Sequence, residues 1–145
     1  MSSSLINKPL LGPLVGLNVW TFAIEALLYI RRTPALKKYD ISFDPNIVKQ
    51  EKATKLPPFV QWPADNFNNL LEQPTQFYAV ALALSMLDVK DKTTVRLAWG
   101  YVGLRVLHSL IHVSYNNVLL RFPVWAASSV VLVGMTAKAA WEIFF

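Results

Sequence analysis

At 145 residues the chain has about one domain's length, on a scale of roughly 100–200 residues per domain, which excludes a large multidomain enzyme. Its residues are 54% hydrophobic and only 16% charged, with mean hydropathy +0.35 and no cysteine, which excludes intrinsic disorder, disulfide scaffolds, thiolate metal sites and cysteine nucleophiles. The net charge of +5 would suit nucleic acid, but the basic residues crowd into one segment between apolar stretches, as membrane topology requires, and no nucleic-acid partner is expected.

Residues 10–30 carry Glu25 as their only charge and are long enough to cross a hydrocarbon core of roughly 30 Å as a helix. Arg31 and Arg32 follow where a small-residue cleavage site would lie, so the segment reads as an anchor that stays. Gly12 and Gly16 within it form a small-xxx-small pair that lets another helix come close. Residues 31–65 hold Arg31, Arg32, Lys37, Lys38, Lys49, Lys52 and Lys55, so the positive-inside rule places this basic loop in the cytoplasm or its equivalent and both termini on the other side. Pro34, Pro45, Pro57, Pro58 and Pro63 argue against a long helix there and leave the loop's tail to fold back over the bundle mouth.

A second span is expected over residues 70–87, purely apolar only in its 77–84 half. A third, residues 95–113, carries Arg96, Arg105, His108 and His112, and a fourth, residues 122–145, carries Lys138 and Glu142 one turn apart. The short links 88–94 and 114–121 make these last three neighbours running up and down. Lipid offers the backbone no hydrogen-bond partners, so the expected fold is all-α: an integral membrane four-helix up-down bundle in one domain, 1–145. Trp20, Trp62, Trp99, Trp125 and Trp141 suit interfacial anchors or bundle faces, and Ser2-Ser3-Ser4 is the only low-complexity tract. Endomembrane, mitochondrial and bacterial inner membranes fit this multi-pass pattern equally.

Ionisable residues inside spans are functional candidates because burying them is costly. Glu25, Asn69, Glu72, His108, His112 and Arg121 are expected at one depth in the cytoplasmic leaflet, with Arg105 deeper. Asn69 and Glu72 stand at i, i+3, and Arg105, His108 and His112 at i, i+3, i+7, so each set forms one stripe. Such stripes hold either a polar ligand or a structural ion pair, with Glu72 neutralised by Arg105 or Arg121. His108 and His112 share a face and could reach one zinc ion. They are the only histidines, however, and Ser109 stands where an H-E-x-x-H protease has its glutamate, so an interhelical hydrogen bond is expected and no metal site.

Three motifs in order carry a family resemblance: Asn69-Leu70-Leu71-Glu72 followed by Pro74 and Phe77, then Arg105-Val106-Leu107-His108, then Arg121 thirteen residues after His108. With this topology the chain resembles the membrane-associated proteins in eicosanoid and glutathione metabolism, which are four-helix and usually trimeric. The resemblance implies a homotrimer, glutathione as cofactor between neighbouring subunits, and a glutathione-dependent transferase or peroxidase drawing lipophilic substrates from the membrane lipids. It implies that Asn69, Glu72, His108 and Arg121 grip glutathione, with His112 where relatives commonly carry a tyrosine. Arg121 suits a carboxylate, Glu72 suits the ammonium, and Arg121 is the candidate catalytic cation favouring thiolate. Active relatives carry basic residues where this chain has Asp65 and Asn68, which implies a weakened glutathione site. The competing readings are a non-catalytic accessory or structural subunit of a larger membrane complex, and a lipid or quinone binder using His108.

Overall fold

A computed structural model describes residues 8–145, with side chains from Pro9 onward; Ser2-Ser3-Ser4 lies outside the described residues. These residues form six helices: α1 Lys8–Lys38, α2 Val48–Lys55, α3 Pro58–Glu72, α4 Pro74–Met86, α5 Lys92–Ser114 and α6 Val118–Phe144. No strand occurs among them.

The prolines do less than the sequence suggests. Helix α1 runs through Pro13 and Pro34 to Lys38, and α3 begins at Pro58 and contains Pro63. A proline removes one backbone donor and clashes with one carbonyl, and here α1 and α3 pack along each other strongly enough to tolerate that. The expected 31–65 loop therefore shrinks to the stretch between α1 and α3, which contains the short α2. Span two likewise begins earlier than residue 70. Gln73 is helical itself (φ −62°, ψ −36°) and joins α3 to α4, so residues 58–86 form one rod interrupted at Pro74. Two hydroxyls serve the break: Thr75 Oγ1 donates to the Glu72 carbonyl at 2.6 Å, and Gln73 Nε2 donates to Ser129 Oγ of α6 at 2.7 Å.

Helix ends are specified locally. Asp91 caps α5 by accepting from the Thr94 N–H (2.8 Å) and hydroxyl (2.7 Å), and Asn117 caps α6 by accepting from the Leu120 N–H. Asp40 (φ 48°) and Asp88 (φ 56°) take the left-handed conformation just past α1 and α4, where Ile41 N–H and Val89 N–H reach back to the Leu36 and Leu84 carbonyls.

Leu10, Leu17 and Ile24, two turns apart on α1, bury against Phe77, Ala81 and Leu84 of α4, Tyr101 and Val102 of α5 and Leu132 and Met135 of α6. Phe77 and Tyr101 stack at 4.4 Å between centroids. A smaller cluster of Ala35, Ile41, Leu56 and Val60 holds the inter-helix segment against the ends of α1 and α3. The indole of Trp99 fills the space over Gly12 and Gly16, where a Cβ on Gly16 would lie 3.2 Å from the ring. At the other end Arg31 Nη1 donates to the Val113 carbonyl of α5 at 3.0 Å and to the Phe59 carbonyl at 3.1 Å. Helices α1 and α5 therefore run parallel. Asn69 beside Arg105 and Asn66 beside His112 set α3 antiparallel to α5.

Two helices among the described residues, α1 and α6, are long and apolar enough to cross a membrane, and only 28% and 17% of their apolar windows are buried inside the fold. Most of that apolar surface faces outward, unlike a soluble core helix. Of the four apolar segments expected from sequence, α1 and α6 meet that length and apolarity; Pro74 divides the second into α3 and α4, and Arg105, His108 and His112 lower the apolarity of the third.

Candidate functional site

Asp65, Asn69 and Glu72 recur at i, i+4, i+7 along α3 and share one face. That face meets His108 and His112 of α5, Asn116 in the α5–α6 turn, and Arg121, Phe122 and Trp125 of α6 around a cleft of about 520 Å³. Of the residues singled out from sequence, Asn69, Glu72, His108, His112 and Arg121 all line it. Glu25 does not, and Arg105 lies behind the wall.

Arg105 is fully buried, at 0% exposure. Its Nη1 donates to Asn69 Oδ1 at 3.3 Å, and its guanidinium lies over the Tyr101 ring at 5.3 Å, which in turn stacks on Phe77. Its Nε and Nη2 have no hydrogen-bond partner among the described residues. With Oδ1 of Asn69 occupied, the two amide N–H groups remain as that residue's donors.

The expected ion pair of Glu72 with Arg105 or Arg121 is absent: the ion pairs among the described residues are Lys55–Glu51, Lys90–Asp88 and Lys138–Glu142. Arg105 turns instead to Asn69, and Arg121 Nη1 donates to Asn116 Oδ1 at 2.6 Å. The reason is placement. Glu72 is exposed on the open side of the cleft, where no burial within the chain forces a partner on it. Asn116 sits at φ 48° in the tight turn between α5 and α6, which is what brings its amide to Arg121.

Both imidazoles are buried and meet edge to face at 5.7 Å. Asn66 Nδ2 lies 3.3 Å from His112 Nδ1, an interhelical hydrogen bond between α3 and α5. His108 Nδ1 has no partner among the described residues. No group of three or more metal-ligating side chains occurs among them.

Asn66 and Asn116 escaped the sequence reading. The run Asn66, Asn68, Asn69 in a segment punctuated by prolines was the available clue, since Asn66 lies one turn before Asn69. Of the two positions where relatives carry basic residues, Asp65 lines the cleft. Asn68 is exposed on another face of α3 and lines a separate cleft with Arg32, Lys49 and Lys52. Of these two departures, therefore, only Asp65 borders the cleft that holds Glu72 and Arg121.

The family model of the MAPEG family matches residues 10–141, nearly the whole chain. The chain belongs to the MAPEG family. Neither the curated proteins nor the solved structures give a significant match.

Proposed function

We propose that this MAPEG-family membrane protein binds glutathione in the cleft between α3, α5 and α6 and directs its thiol at lipophilic substrates taken from the bilayer. In this reading α1, the α3–α4 rod, α5 and α6 all cross the membrane as an up-down bundle, with the basic segment between α1 and α3 on the cytoplasmic side. The alternating directions of α1, α3 and α5 support it, as do the outward apolar faces of α1 and α6. So does the polar character of the wall formed by α3 and α5: helices too polar to cross alone are kept in membranes by facing each other.

The observation that carries the proposal is that one concavity holds a carboxylate and a guanidinium, Glu72 and Arg121, neither in an ion pair among the described residues, beside the amides of Asn69 and Asn116. Its volume of about 520 Å³ lies inside the roughly 300–1,000 Å³ of small-molecule sites. Glutathione carries two carboxylates, an ammonium and a nucleophilic thiol. Glu72 accepts from the ammonium, the Asn69 N–H groups donate to carboxylate or amide oxygens, and Arg121 offers its remaining donors to a carboxylate or to a developing thiolate. An exposed Glu72 at membrane depth needs cover, and a ligand ammonium or a neighbouring subunit of a homotrimer supplies it.

A second reading, the accessory subunit of a larger membrane complex, is favoured by the charge balance of the cleft, where Asp65 and Glu72 oppose the single guanidinium of Arg121. Calorimetry with glutathione on the purified protein separates the two. Saturable binding that Glu72→Gln and Arg121→Leu each weaken about tenfold or more supports the glutathione site. Absence of binding together with conjugation activity at background leaves the accessory reading.

A further inference from the structure

The second polar cleft of the molecule shares only Asp65 with the first. It lies between the end of α1, helix α2 and the start of α3, has a volume of about 720 Å³, and is lined by Arg32, Lys49 and Lys52 with Asp65 as the one lining carboxylate. None of the three cations is in an ion pair among the described residues. The cleft is built rather than incidental. Arg32 Nη2 donates to Gln61 Oε1 at 2.6 Å, and Gln61 Nε2 donates to the Lys52 carbonyl at 2.8 Å, so one glutamine fixes the arginine of α1 and the lysine turn of α2 together. Arg32 Nε is buried without a partner among the described residues.

Its position gives the second half of the argument. Arg32 comes two residues after the apolar part of α1 ends at Ile30, which places it at the membrane–water boundary in the reading above. One turn below it, Tyr29, Phe22 and Val15 recur every seven residues and are 59%, 62% and 55% exposed, an apolar track leading up to the cations. We propose that this cleft holds the phosphate-bearing headgroup of an anionic phospholipid, with an acyl chain lying along Val15, Phe22 and Tyr29. The arrangement pairs charge with apolar length as a lipid does: guanidinium and ammonium groups hold the phosphate, and basic residues at an anionic leaflet add attraction for each charge. The inference rests on the membrane placement of α1 and not on glutathione binding.

The test is lipid retention by the detergent-solubilised protein, read by native mass spectrometry after exposure to equal amounts of phosphatidylglycerol and phosphatidylcholine with the same acyl chains. Preferential retention of phosphatidylglycerol is expected, falling about fivefold for each lysine removed in Lys49→Gln and Lys49→Gln/Lys52→Gln. Lys37→Gln/Lys38→Gln removes two exposed cations of α1 outside the cleft and should leave the preference intact. Equal loss in both double variants would reduce the effect to diffuse loop charge and overturn the site, as would equal retention of the two lipids by the unaltered protein. Glycerol 3-phosphate at lipid concentrations should fail to displace the lipid; if it competes fully, the ligand is a soluble phosphate and the lipid assignment falls. Glutathione calorimetry on the same variants should be unchanged, so failure here leaves the glutathione reading standing.

Discussion

Arg105 on α5 reaches Asn69 on α3 at 3.3 Å and is the only fully buried cation among the described residues, yet no carboxylate answers it. A buried guanidinium with one neutral hydrogen bond and a ring face is poorly compensated for its lost hydration. Its position behind the cleft wall makes it a positioning residue for the Asn69 amide rather than a source of stability.

Arg105→Met is therefore expected to keep or raise the Tm, because an apolar side chain of similar length removes the desolvated charge. Arg105→Ala should lower stability by about 2–5 kcal/mol through the cavity it leaves. Glutathione affinity should fall in both, since Asn69 loses its anchor. A Tm drop in the Met variant as large as in the Ala variant would make Arg105 structural and remove the positioning role.

The Arg105, His108, His112 stripe was legible because helical spacing alone puts those residues on one face, and Asn69 and Glu72 followed for the same reason. Partners were not legible. Arg31 and Arg32 count in sequence as loop charges that orient the chain, whereas in the fold Arg31 holds the Val113 carbonyl and Arg32 holds Gln61. Nothing local encodes a contact between Arg31 and a residue at the far end of α5. The prolines misled for the complementary reason: Pro34 and Pro63 each remove one local hydrogen bond, and the packing of α1 on α3 outweighs that loss. Asn66 was hidden by the same error, since it falls between the expected loop, 31–65, and the expected span, 70–87, where no helix face is assigned.

The cap of α5 gives a pH-dependent outcome. The hydroxyl and N–H of Thr94 hold the Asp91 carboxyl below its ordinary range. A carboxyl depressed in the folded state stabilises fully above its unfolded pKa, roughly 3.9, and that contribution disappears as pH falls through the folded value. Asp91→Ala should thus cost about 1 kcal/mol at neutral pH, and the difference from the unaltered protein should close in thermal melts carried below about pH 4. A gap that stays constant with pH would mean that the charge of the cap contributes nothing.

The topology can be read directly because the chain has no cysteine to interfere. Gln50→Cys lies in α2 and Lys90→Cys in the α4–α5 turn. In sealed vesicles an impermeant maleimide should label one and not the other. Labelling of both from one side would break the up-down arrangement of the α3–α4 rod.

In the glutathione reading the charge of the cleft rim sets the affinity, and the structure separates two substitutions that the sequence treats alike. Asp65 lines the cleft with Glu72 and Arg121, so its carboxylate opposes an incoming carboxylate ligand. Roughly 1 kcal/mol of repulsion in a half-solvated cleft corresponds to about fivefold in affinity, and Asp65→Asn is expected to tighten glutathione binding by that order. Asn68 points to the other cleft, beside Arg32 and Lys49, so Asn68→Arg should leave glutathione affinity within about twofold, far below the ten- to a hundred-fold gain of a direct charged contact. Calorimetry on both variants distinguishes the outcomes. Tightening by Asn68→Arg alone would mean that the glutathione site spans α3 to the face of Asn68, and that the cleft around Glu72 and Arg121 is only part of it.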